Sequence, residues 1–248
     1  HFALEDAVAG AMPMLADGAD MLDIGGESTR PGAEPVSAAD EIQRVVPVIA
    51  ALRQETDCLI SIDTAKAAVA EAAVQAGADI INDISGFHRD PRMIEVAACS
   101  KAGCIAMHMR GTPQTMQQLT DYDDLIAEMN VYFKETISRL ISAGINQNRI
   151  MIDPGIGFSK TVEQNLLIMK ELSAFHCHGV PLLLGTSRKS FIGKTLGIDN
   201  PEDRVWGTAA TVAMGIMAGV HVIRAHDIKP MRQVMDMTTA IISESSGS

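Results

Sequence analysis

Seven short apolar runs of β type punctuate the chain: MLDIGG (21–26), CLISIDT (58–64), DIINDIS (79–85), CIAMHM (104–109), IMIDPG (150–155), PLLLGTS (181–187) and VHVIRAH (220–226). Between them lie segments with helical periodicity, over 37–54, 66–76, 90–101, 122–143, 162–172, 202–218 and 229–242. Strands that are apolar throughout and alternate with helices predict a parallel sheet covered on both faces. The sheet is either closed as a (β/α)8 TIM barrel or open and doubly wound. Polar residues gather after nearly every run, as they must when all the loops ring one mouth, so the barrel is preferred.

Seven runs are one short of the barrel count. The chain opens on a helix-like stretch, ALEDAVAGAMPMLADGA, with no strand before it. A barrel cannot lose a strand without exposing ladder groups, so the expectation is that a first strand and its loop precede His1. Start and stop signals frame several helices: Ser37 with Asp40 three residues on, Asp90-Pro91, and Gly77, Gly103 and Gly144 where the pattern stops. No Pro/Ser-rich linker divides the 248 residues, and a single domain over 1–248 is expected. Trp206 and the many methionines read as core.

Charge and cysteines exclude several functions. Twenty Lys and Arg against 31 Asp and Glu give a net charge of -11, which opposes nonspecific binding to nucleic acid or to an acidic membrane. Any anion must therefore be held by a few placed cations. No apolar run is long enough to span a bilayer. Cys58, Cys99, Cys104 and Cys177 form no C-x-x-C pair and read as small buried hydrophobes in a reducing cytoplasm.

The run ends carry the chemistry. Asp63, Asn82 and Asp153 each end an apolar run, where an unpaired carboxylate is costly. Any one of them alone reads as a helix cap. Together they offer acceptors, and one amide, to a flat heterocycle bearing an amino group and ring N–H donors. Arg30, Arg188, Lys189, Arg224 and His226 lie in strand-end loops and suit a phosphate or diphosphate, although Arg188 or Lys189 alone could be a solvated loop charge. Arg224 and His226 alternate along one run, so both can face one way.

Met107 and Phe158 are candidate apolar walls for a ring, with core packing as the alternative. His108 could contact a ligand or be structural. His176 and His178, before a strand, are surface residues at the wrong end. GTSRKSFIGKT lacks the glycine spacing of a phosphate-binding P-loop, and no Ser-His-Asp or Cys-His set is evident.

In order, DIGGESTRPGA, SIDT, INDISG, MHM, DPGIGFSK, SRKSFIG and IRAHD resemble the dihydropteroate synthases of the pterin-binding (β/α)8 family over essentially the whole chain. The resemblance implies condensation of 7,8-dihydropterin-6-ylmethyl pyrophosphate with p-aminobenzoate, assisted by magnesium, in a cytoplasmic homodimer. It implies that Asp63, Asn82, Asp153 and Lys189 grip the pterin and that Arg224 stacks on it. Arg224 and His226 would hold the diphosphate. Thr29 and Arg30 would ride a mobile loop over the leaving group, and Phe158, Lys189 and Ser190 would complete the p-aminobenzoate pocket. The family's magnesium-ligating asparagine and its Asp-Ser-Phe loop have no counterpart before His1, so no metal ligand is assigned. A corrinoid-dependent pterin methyltransferase and a silent pterin-binding paralogue are the alternatives.

Overall fold

The computed structural model describes residues 2–30 and 32–244. Helix α1 (Phe2–Ala16) leads into strand β1 (Met21–Gly25), and strands and helices then alternate: α2 (Ala38–Glu55), β2 (Leu59–Asp63), α3 (Ala67–Gln75), β3 (Ile80–Asp83), α4 (Arg92–Cys99), β4 (Gly103–Met107), α5 (Leu125–Ser142) and β5 (Ile150–Asp153). The second half continues with α6 (Val162–Lys170), β6 (Leu183–Leu184), α7 (Ser190–Leu196), α8 (Val205–Met217), β7 (Val222–Ile223) and α9 (Ile228–Ser243).

The strands pair in sequential order. β1 to β5 form one parallel sheet, β6 and β7 pair in parallel, and an Ile152–Leu182 bridge joins the two sets. A doubly wound sheet reverses its order at a switch point, and no reversal occurs here. The sheet also curls, because Arg224 just after β7 reaches Asp23 on β1 and Asp63 on β2. The architecture is the α/β barrel type. Among the described residues β7 and β1 share no ladder. A groove of about 690 Å³ lies between them, backed by Gly10, Ala11 and Met14 of α1.

Strand alternation separates the core from the site. Leu22, Ile60, Ile62, Ile81, Cys104, Ala106, Ile150 and Ile152 point outward and join the main core against the helices. Asp23, Ser61, Asn82 and Ile105 line the interior instead. Burial of the outward rows is the main stabilising term, at about 25 cal/mol per Å² of apolar surface.

Ser37 caps α2 as its sequence predicts, its Oγ accepting from Asp40 N, and in the structure Thr161 with Gln164 also closes a capping box on α6. Several expectations are corrected. The 202–218 helix is a short 3₁₀ turn, Pro201–Arg204, followed by α8. The 162–172 helix ends at Lys170, and 3₁₀ turns follow it. Gly103 opens β4 rather than marking only a stop. Helix α7 occupies SFIGKTL, where no helix was predicted.

Trp206 is not core: it is 82% exposed. Helix α8 is apolar nearly all round, and only its Thr208, Val212 and Gly215 face inward. Met12, Met14, Met214, Met217 and Met237 are exposed as well. Of the cysteines, Cys104 is buried and Cys58 half-buried, but Cys99 and Cys177 are exposed.

Candidate active site

The run-end residues meet at the C-terminal mouth of the strands. Gly25, Asp63 and Asn82 stand in one register row across β1, β2 and β3, and Asp153 is level with Met107 on β4 and β5. Parallel register puts neighbours in a row on one face, which explains why carboxylates far apart in sequence converge.

Asp63 is the most perturbed of them. Burial, and then the nearby Asp23 carboxylate, push its acid up to about 8, and Arg224 only partly opposes this. Its Oδ2 lies 3.7 Å from Arg224 Nη2. Its Oδ1 is buried and, among the described residues, has no hydrogen-bond partner. An acceptor left without a donor in this way is costly unless a ligand supplies one.

Asp153 is also buried and raised by burial, against the pull of Lys189. Gly155 N donates to its Oδ1 at 2.7 Å. Gly155 has φ of +65°, and a Cβ there would lie 2.1 Å from the His108 carbonyl oxygen, so only glycine allows this turn.

Lys189 projects into the same space. Its Nζ donates to the Ile156 carbonyl and sits 4.9 Å from the Phe158 ring centroid. Burial pulls its ammonium down to about 8, although Asp153 favours the charge. Met107 and half-buried Phe158 belong to a small apolar cluster with Ile84, Met109 and Met116, separate from the main core. Ser190, exposed, is the first residue of α7.

Arg224 and His226 form the cationic side. Arg224 Nε donates to Asp23 Oδ2 at 2.7 Å, and its side chain is 46% exposed. His226 is exposed, with its backbone N and its Nδ1 3.1 and 3.0 Å from Ser187 Oγ. Burial and then Arg224 lower its pKa, and Arg30 adds the smallest push in the same direction. Thr29 is half-buried and Arg30 exposed, both on the loop after β1.

Arg188 is not a free solvated charge. It forks onto Asp227 at 3.0 and 2.6 Å, a pairing that locks the loop before α7 to the start of α9. His108 is structural: it is buried, lies 3.0 Å from Lys160 Nζ through Nδ1, and meets Tyr132 edge-on. His176 bonds to the Ala218 carbonyl, away from the mouth.

Asp23 escaped sequence reasoning. Asp23 accepts from Ser61 Oγ and Arg224 and lies 3.4 Å from Asn82 Nδ2, so it braces three mouth residues at once. The signal was available, since Asp23 interrupts an apolar strand at the same parity as Gly25. Among the described residues no three His, Cys, Asp or Glu side chains converge on a metal position. A magnesium ion needs fewer protein ligands than that where a substrate's phosphates supply the rest, and no step is routed through one.

The pterin-binding enzyme family profile matches residues 1–226. A dihydropteroate synthase of Synechocystis is 50% identical over 238 residues, covering 96% of this chain and 82% of the relative. A Yersinia pestis dihydropteroate synthase in complex with a sulfonamide drug superposes with a TM-score of 0.94 at 42% identity, covering 97% of this chain and 87% of that one. A Xanthomonas albilineans dihydropteroate synthase with 4-aminobenzoic acid gives a TM-score of 0.92 at 38% identity, covering 98% and 86%. Likeness of that extent, on a strand order and a mouth that already point the same way, makes this chain a member of the dihydropteroate synthase family of pterin-binding enzymes.

Proposed function

We propose that the chain joins a dihydropterin carrying a methylene diphosphate to p-aminobenzoate, giving 7,8-dihydropteroate and pyrophosphate, with Asp63, Asn82, Asp153 and Lys189 on the ring and Arg224 and His226 on the diphosphate. The activity is that of a dihydropteroate synthase, a transferase of folate biosynthesis. The observation that carries the assignment of roles is the orphaned, buried Asp63 Oδ1. A pterin's amino group and ring N–H supply the missing donors and return Asp63 to its ionised form.

In the reaction the aniline nitrogen bonds to the methylene carbon, the carbon–oxygen bond to the diphosphate breaks, and the amine loses a proton. Negative charge grows on the leaving oxygens, where Arg224, His226 and the loop's Arg30 stabilise it. Positive charge grows on the methylene, and a ring held by ionised carboxylates tolerates it. Lys189 bridges the two ends, over Phe158 and beside Asp153. Phe158, Met107, Thr29 and Ser190 wall the p-aminobenzoate side. We place any divalent cation with the diphosphate rather than on the protein.

Trp206, Met217, Met237 and Ile241 are 82, 70, 63 and 62% exposed on the packed pair α8 and α9, an apolar face of the kind that subunits cover. We assign the homodimer contact to it. Among the described residues no helix is long and apolar enough to cross a membrane. Four free cysteines suit a reducing cytoplasm, where we place the enzyme. Pyrophosphate release, followed with and without p-aminobenzoate, tests the reaction. Release that depends on the amine is expected, and none in either case rejects it.

A further inference from the structure

The loop after β1 is held at two ends. At its root, Gly26 packs so closely on α2 that a Cβ would lie 2.8 Å from Glu41 Cγ and 2.9 Å from Val45 Cγ1. Arg44 Nη1 donates to the Gly26 carbonyl at 2.9 Å. At the far end, Gly32 N donates to the Pro113 carbonyl at 3.2 Å, and Gln114 donates to the Ala33 carbonyl. Between these points Ser28 and Arg30 are exposed, and the described residues show two local bonds there, Arg30 N to Ser28 Oγ at 3.4 Å and Ala33 N to the Arg30 carbonyl at 3.1 Å.

Lys66 completes the root. It stands before α3, and its ammonium donates both to Glu27, the loop residue next to Ser28, and to Glu41 on α2. The side chains of Glu41, Glu27 and Lys66 are 1, 16 and 25% exposed. The two carboxylates sharing one ammonium are not equivalent. Glu41 sits on a helix and is buried, so its pairing with Lys66 is the inner, fixed-frame contact of the two. Glu27 sits on a loop and can leave while Lys66 stays neutralised by Glu41. Breaking the outer contact therefore strands no buried charge, which would otherwise be the main cost of opening.

We propose that Lys66 is a positioning residue that latches Glu27 and so presents Thr29 and Arg30 over the mouth. This proposal rests on the function proposed above. The latch holds the loop across the diphosphate side and releases it for exchange of substrate and product. It acts through Glu27 and touches no reacting atom.

Lys66→Met would leave Glu41 buried without a counterion and could simply unfold the chain. Glu27→Ala is the clean variant, because the Lys66–Glu41 pair survives in it. Hydrogen exchange of the 26–33 segment and steady-state kinetics are to be measured on wild type, Glu27→Ala and Lys66→Arg. Loss of one charge-assisted contact is expected to raise exchange of that segment about tenfold and to lower kcat/KM for p-aminobenzoate about tenfold. The Kd of 6-hydroxymethylpterin, which has no diphosphate, should stay unchanged, as should exchange in the strands, and Lys66→Arg should keep wild-type behaviour. Unchanged loop exchange in Glu27→Ala, or loss of pterin affinity in step with kcat/KM, overturns the latch. An inactive wild type with a loop that still loosens in Glu27→Ala would instead reject the proposed function and keep the tether.

Discussion

Replacing Asp63 by Asn separates stability from function at one atom. In the folded chain burial and Asp23 hold this acid up at about 8, from an ordinary 3.8. Raised acids destabilise a fold wherever the unfolded chain is ionised and the folded one resists it. The penalty is absent below pH 3.8, grows as pH rises, and is complete above 8. At about 1.36 kcal/mol per pH unit, it is on the order of 3 kcal/mol at pH 6 and 5 kcal/mol at pH 8. Asparagine keeps the shape and cannot ionise, but it gives up the contact with Arg224 and puts an amide near a cation, which removes about half of the gain. A net stabilisation of about 1–2 kcal/mol at pH 6, growing with pH, corresponds to a Tm increase of roughly 3–6 °C for a chain of this size.

Thermal unfolding followed by circular dichroism at pH 6, 7 and 8 checks this, with 6-hydroxymethylpterin affinity measured by titration calorimetry on the same samples. The variant should melt higher, by a margin that widens with pH, and should bind the pterin at least about thirtyfold more weakly, since it loses a charge-assisted acceptor. A variant that is no more stable than wild type, or whose gain is the same at pH 6 and pH 8, refutes the electrostatic reading of Asp63.

Other outcomes follow from the mouth and from the α8–α9 face. Asp63 must ionise and Lys189 must stay charged, and both titrate near 8, so kcat/KM for the dihydropterin diphosphate should trace a narrow bell centred near pH 8. Lys189→Arg should push the alkaline limb outward, and a flat profile between pH 6 and 9 contradicts the pairing. Trp206→Glu, on a side chain 82% exposed, should yield a folded monomer by light scattering while the monomeric protein keeps its pterin affinity; an unchanged dimer places the contact elsewhere.

Much of this was legible in the sequence because the strands are short, wholly apolar and polar at their ends. Periodicity located β1 to β5 nearly to the residue, and run-end reading placed Asp63, Asn82, Asp153, Lys189, Arg224 and His226 at one mouth. Where sequence reading failed, the missing information was a partner distant in the chain. Nothing local in SRKS shows that Arg188 is spoken for by Asp227, and nothing near Lys66 shows that two glutamates share it. Trp206 was misread for another reason: α8 has no polar stripe, so its pattern cannot tell a core face from a face awaiting another surface. Helix α7 is seven residues long, too short for periodicity to register. Asp23 was passed over because only strand ends were read, although parity alone puts it inside.

The central claim is that a single mouth holds a ring at its carboxylates and a diphosphate at Arg224 and His226, as separate and adjoining subsites. Calorimetric titration of 6-hydroxymethylpterin into wild-type protein already saturated with inorganic pyrophosphate addresses it directly. Binding should remain one-to-one and at least as tight as without pyrophosphate. Competition between the two, with the apparent pterin Kd rising in proportion to pyrophosphate, would show that they contend for one place and would contradict the account.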